Sequence, residues 1–109
     1  MANTTVKSRA TIQITGLDAD WTWDTDGGFN TFHGVRVSSI QFLPSAASDV
    51  MIVHDGGVDG ADIFNSGPTV GTSPLYKNFD PPVLLRPVID ISDCTLDSAG
   101  DAKVIIDYV

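Results

Sequence analysis

Four aspartates, Asp18, Asp20, Asp24 and Asp26, crowd around Trp21 and Trp23 in one short stretch of the chain. Two chemistries fit those residue types. Hard cations such as calcium are held by several carboxylate and carbonyl oxygens, which makes the four aspartates a candidate calcium loop. The spacing lacks the third acidic position and the closing Glu of an EF-hand. Aspartate also closes turns by accepting from nearby backbone N–H groups, and that role accounts for the cluster without a metal. No metal or cofactor is therefore expected. The second chemistry is sugar binding, with the indole faces as a stacking platform. Tryptophans at i and i+2 on a strand point to the same side, the arrangement that fills a core or a subunit interface. Trp21 and Trp23 are assigned to core or interface ahead of a ligand platform.

The remaining reactive side chains give no catalytic pattern. His33 and His54, even with Asp55 beside the latter, match no zinc spacing, and Cys94 is distant in sequence. No Gly-x-Ser-x-Gly elbow positions a serine nucleophile. Paired carboxylates for glycoside chemistry can be drawn from any Asp-rich surface and carry little weight. Asp93 next to Cys94 would raise the thiol pKa, the opposite of activation. The expectation is a chain that is not an enzyme.

The elements that would position these groups read as strands. In Thr5–Thr15 the residues Val6, Ser8, Ala10, Ile12 and Ile14 alternate with polar ones, the period of a half-buried strand. Ala19–Thr25 reads as a second strand, closed by the turn Asp24–Gly28. Gly34–Leu43 is a third whose phase shifts inside: Val35 and Val37 share one parity, Ile40 and Phe42 the other. A β-bulge at Ser38-Ser39, or a crossing between sheets, would bring all four onto one face. Pro44 ends it. Asp49–His54 and Ala61–Asn65 follow, around a Gly-rich turn. Ser66–Pro82 reads as the longest loop, with Leu75, Tyr76 and Phe79 as its anchors onto the body. Val83–Ser92 is a strand whose Pro87 points to an edge position, and Ala102–Val109 is the last.

Composition agrees. All 14 acidic residues are Asp, with no Glu anywhere, and Asp favours turns where Glu favours helices. The fold class expected is all-β: one antiparallel, jelly-roll-like β-sandwich over residues 1–109, of about seven to eight short strands, with a partly open barrel as the variant. Met1–Thr5 reads as a polar, extended arm fit to lie across an adjacent subunit. The net charge of −8 and six scattered basic residues argue against nucleic acid as a partner. No apolar run has the length of a membrane span or of a signal peptide, and the lone Cys94 suits synthesis in a reducing cytoplasm.

A longer pattern adds to this. Val35 through Val50 contains a strand ending in Phe42-Leu43-Pro44, a small-residue turn and an Asp-started strand. The Gly-rich turn from Asp55 to Gly60, the strand around Ile63-Phe64, and Val88 through Leu96 continue it. This succession resembles small structural proteins of tailed bacteriophages over about two thirds of the chain; the Trp-rich segment lies outside it. The resemblance implies a non-enzymatic virion component, made in the host cytoplasm and present in many copies. A capsid decoration (cement) protein is the first candidate, with a tail or head-fibre component and a carbohydrate-binding module as alternatives. It further implies self-association, by analogy as a trimer, and contact with the major capsid protein or another virion protein. Trp21, Trp23, Pro74, Leu75, Tyr76, Phe79, Pro81 and Pro82 are the interface candidates.

Overall fold

The computed structural model describes residues 3–29, 33–57 and 59–109. Their strands are β1 (Thr4–Lys7), β2 (Thr11–Thr15), β3 (Trp21–Thr22), β4 (Val35–Leu43), β5 (Ile52–Asp55), β6 (Asp62–Asn65), β7 (Leu75–Leu85), β8 (Pro87–Ile89) and β9 (Lys103–Tyr108). A 3₁₀ turn spans Ile91–Asp93. The strands form two antiparallel sheets, β1-β2-β9-β4-β7 and β3-β8-β5-β6. Both sheets stay open, so the molecule is a β-sandwich and the barrel variant is set aside.

The bulge expected at Ser38-Ser39 is present. β4 pairs Val37 with Tyr108 and then Ser39 with Asp107 on β9, so Ser38 is the extra residue. It rephases the strand, and Val35, Val37, Ile40 and Phe42 all enter the core. From the other sheet Trp21, Val53, Phe64 and Ile89 meet them, along with Ile12, Ile14, Val104 and Ile106 from β2 and β9. Burial of these side chains, at about 25 cal/mol per Å² of apolar surface removed from water, is what joins the two layers.

Other expectations change. The alternation over Thr5–Thr15 is a hairpin rather than one strand, because Ser8 N–H donates to Thr11 O at 2.8 Å and turns the chain. Val6 consequently faces solvent while Ile12 and Ile14 are buried. The N-terminal arm is also partly docked on its own domain. Thr4 and Thr5 pair with Thr15 and Ile14, and Asn3 Nδ2 donates to the carbonyls of Ala19 and Asp20. Met1 and Ala2 lie outside the described residues.

The strand expected over Ala19–Thr25 shrinks to Trp21–Thr22. Asp26 accepts from Thr22 N–H at 2.9 Å and coils the chain immediately afterwards. The expected loop Ser66–Pro82 yields its second half to β7, which pairs with β4 along the sheet edge. Phe79–Pro82 form a bulge there, between the Val37–Val83 and Ser39–Asn78 pairs.

The strand expected over Val83–Ser92 is two strands in different sheets. Val83–Leu85 ends β7, the chain crosses at Arg86, and β8 runs between β3 and β5. Pro87 is thus not on an edge strand. It is the first residue of an interior one, where its missing N–H falls at the crossover. The prolines on an edge are Pro81 and Pro82, on β7.

The turn after β4 is closed by one buried carboxylate. Asp49 is 1% exposed. Its Oδ2 accepts from Ser45 N–H and Ser45 Oγ at 2.6 Å each and from Ala46 N–H at 3.3 Å. Its Oδ1 accepts from Asp97 N–H at 2.9 Å. Two loops distant in sequence are joined through that single side chain.

Candidate functional site

His54 is the most constrained polar side chain of the four-stranded sheet. It lies opposite Val88 on β8 and Asp62 on β6, and the 3₁₀ turn brings Asp93 over it. Its Nε2 is 2.9 Å from Asp93 Oδ2. Its Nδ1 is 3.0 Å from Gly60 O and 3.1 Å from Asp62 Oδ1. Every one of those partners is an acceptor, so only the doubly protonated ring satisfies both nitrogens. Gly60 is required at its position, because a Cβ there would run into the Asp55 carbonyl.

Burial alone would lower the His54 pKa. The bond to Asp93, the Gly60 carbonyl and the charges of Asp62 and Asp93 outweigh that and hold it above the ordinary 6.5. A general base needs a free lone pair, and Gly60, Asp62 and Asp93 hold both ring nitrogens of His54. Its role is to tie β5, the 56–60 turn and the 3₁₀ turn together. The raised folded-state pKa means that His54 contributes its full stability below pH 6.5 and loses it as pH rises through the folded value. Thermal unfolding should therefore show wild type losing stability from pH 6 towards alkaline pH, by about 1–2 kcal/mol, with His54→Gln flat over the same window. A wild-type melting temperature unchanged across that window would contradict this.

Cys94 is half-buried, and its Sγ lies 3.7 Å from Met51 Sδ and 3.6 Å from Asp90 O. Burial pushes the thiol pKa up, and Asp93, Asp90 and Asp20 add to that against a lowering bond from the Ile52 backbone. The thiol is thereby kept protonated and poorly nucleophilic. His33 is exposed in the turn before β4.

The aspartates around the tryptophans do not converge. Asp20 Oδ1 accepts from Ile91 N–H, Asp26 Oδ2 from Thr22 N–H and Asp24 Oδ1 from Thr25 N–H. Among the described residues no three acidic, His or Cys side chains group as metal ligands. Of the calcium candidates Asp18, Asp20, Asp24 and Asp26, Asp24 and Asp26 bond within their own turn and Asp20 ties the segment to the 3₁₀ turn 71 positions away. Trp21 and Trp23 are 0% and 7% exposed. They belong to the core, so they are neither a subunit interface nor a sugar platform, and the carbohydrate alternative loses the residues that suggested it.

The other interface candidates separate into two groups. Phe79 packs on the core, with Lys77 Nζ 5.2 Å from its ring centre. Leu75 and Tyr76, expected as anchors, are exposed on β7, as is Pro81; Pro74, just before the strand, is also exposed, while Pro82 is half-buried. Leu75 and Tyr76 border a groove of about 360 Å³ between β7 and β6, where Phe64 and Asn65 form the other wall.

Tyr76 also belongs to a surface that the sequence did not single out. Cross-strand pairing sets Val6, Gln13, Ile105, Gln41 and Tyr76 in one row across all five strands of the larger sheet, on its outer side. A neighbouring row holds Thr11, Asp107, Ser39 and Asn78. There Asp107 accepts from Thr11 Oγ1 at 2.9 Å and from Ser39 Oγ at 2.8 Å. Val6 is 58%, Tyr76 66% and Leu84, opposite Arg36, 58% exposed. The outer side of the smaller sheet differs, since the segment after β8 roofs it through Asp93 on His54 and Cys94 on Met51 and Ile52.

Charge is distributed just as unevenly. The strands of the larger sheet carry four of the six basic residues and two of the 14 aspartates, Asp80 and Asp107. The other 12 aspartates lie in loops and in the smaller sheet. An acid-poor sheet face with exposed tyrosine and aliphatic side chains shares the aromatic and aliphatic content of interface cores.

Comparison with known proteins returns no match to a family model, to a curated protein or to a solved structure.

Proposed function

We propose that this chain is a non-enzymatic structural protein of a tailed-bacteriophage virion, and within that class a capsid decoration protein that binds and stabilises the shell. The observation that carries the reading is the bare outer face of the five-stranded sheet, continuous with the exposed β7 edge. Such a surface, on a domain whose His54, Cys94, Asp20 and Asp26 are engaged in holding its own loops, suits a part that works by contact. The segment resembling phage structural proteins includes β4, which lies between β9 and the edge strand β7 in that face. On this reading the chain is made in the host cytoplasm and acts in the virion. Its partners are the major capsid protein or another virion protein, and further copies of itself.

β7 also suits that role by avoiding indiscriminate pairing. Pro81 and Pro82 lack N–H donors, the Phe79–Pro82 bulge interrupts the ladder, and Lys77 sits on the edge. These are the devices by which edge strands resist aggregation, so contact through side chains on the face is favoured over open-ended strand addition.

Quantitative mass spectrometry of purified particles tests the proposal. A decoration protein is expected in a copy number comparable with the major capsid protein. A handful of copies per particle would replace decoration by a tail or head-fibre position. Absence from the particle would end the virion reading.

A further inference from the structure

We infer that the outer face of the five-stranded sheet is where a second copy of this chain docks, sheet against sheet, with Tyr76, Ile105 and Val6 at the contact. The inference deepens the assembly reading and rests on it, in naming both the surface and its occupant.

Charge selects the occupant and the orientation. Two chains of net charge −8 repel over most of their surfaces. The five-stranded sheet is the exception, because 12 of the 14 aspartates lie outside its strands. Of its two acidic residues, Asp80 sits in the edge bulge and Asp107 is already bonded to Thr11 and Ser39. Face-to-face docking about a two-fold axis turns the acidic loops of both copies outward. It pairs the uncharged row Val6, Gln13, Ile105, Gln41 and Tyr76 of each copy, with Arg36 and Lys103 outside that row towards the strand ends.

Size is sufficient for a modest interface. Five strands at about 4.8 Å spacing and about six residues at roughly 3.3 Å each give a face of about 24 by 20 Å. Two such faces remove about 1,000 Å² from water, the lower bound for specific association, and the aligned packing of two sheets supplies the geometry. Tyr76 is the anchor residue by type and exposure, and Ile105 lies at the centre of the row.

Salt separates this arrangement from a charge-driven one. Screening relieves the long-range repulsion between the acidic copies, so the face-to-face dimer should tighten as ionic strength rises. A head-to-tail contact of basic sheet on acidic loops would weaken instead.

Sedimentation equilibrium of the purified chain is the experiment. The expected result is a species of twice the 11.6 kDa chain mass, tighter at about 0.5 M than at about 0.05 M salt. Tyr76→Asp and Ile105→Lys should each weaken it by about tenfold or more. Asp59→Ser, in the exposed turn between β5 and β6, should leave it in place. Circular dichroism and the fluorescence of the buried tryptophans confirm that each variant is folded, and Tyr76→Asp, on an edge strand, keeps the test open if Ile105→Lys does not fold. A monomer across the soluble range, a dimer indifferent to both substitutions, or one that dissolves in salt would overturn the inference. A monomer whose particle binding depends on Tyr76 would assign the face to another protein and equally overturn self-docking. Failure of the virion reading shows elsewhere: a salt-tightened dimer absent from purified particles keeps the docking face and removes the phage assignment.

Discussion

Replacing Trp21 by alanine is expected to cost about 3–5 kcal/mol, a large part of the total stability of a domain this size. The indole is fully buried on β3, an edge strand of the smaller sheet, where Trp21 pairs with Ile89 of β8. Its Nε1 also donates to Thr5 Oγ1 at 3.0 Å, which holds edge strand β1 against the body. Truncation leaves a large cavity between the layers and an unpartnered hydroxyl on β1. At about 4–8 °C per kcal/mol the melting temperature should fall by roughly 12 °C or more. Thr5→Val separates the two contributions, since it keeps the indole in place and removes the acceptor, for about 1 kcal/mol. Acrylamide should quench the native fluorescence weakly, in keeping with indoles inside the core. Strong quenching in the folded protein, or a Trp21→Ala variant as stable as wild type, would show that the indole is not a core residue.

Asp49→Ala is expected to cost about 3 kcal/mol, unusual for a loop position. The substitution leaves Ser45 N–H, Ser45 Oγ, Ala46 N–H and Asp97 N–H without their shared acceptor. Asn is a poor rescue, because its amide turns donors towards donors. Burial alone would raise the Asp49 pKa, but the bonds from Ser45, Asp97 and Ala46 prevail and hold it below the ordinary 3.8. A depressed folded-state pKa contributes stability above the unfolded value that is lost as pH falls through the folded one. Acid unfolding should accordingly be shallower in Asp49→Ala than in wild type. Urea midpoints for Asp49→Ala and the surface control Asp59→Ala measure the first effect, and equal midpoints would contradict it.

Much of the scaffold was legible in the residues. Asp without Glu and the rephased apolar pairs Val35, Val37 and Ile40, Phe42 led to an all-β fold with a bulge, and both are present. What could not be read were events with no local signature. The apolar run through Val83–Ile89 is chemically continuous, yet it changes sheets at Arg86, where Asp55 Oδ1 accepts from Arg86 N–H. Pro81-Pro82 reads as a loop until β4 is known to lie beside it. Val6 shares the parity of Ile12 and Ile14, but a hairpin at Ser8 inverts its side.

The site was legible in part for the same physical reason. Tyr76 was identified by type, but its row with Val6 and Ile105 exists only after strands distant in sequence pair. His54 looked like an ordinary polar residue because Asp93, its partner, is 39 positions away. That one sheet is roofed and the other bare is a property of packing that no residue announces alone.

Hydroxyl-radical footprinting of Tyr76 in purified particles, against the free chain at concentrations too low to associate, tests the central claim most directly. Val70, 99% exposed in the loop before β7, serves as the internal reference. Tyr76 should become protected on assembly while labelling of Val70 changes less. Tyr76 as reactive in the particle as in the free chain would contradict the claim that this protein works through the bare face of its larger sheet.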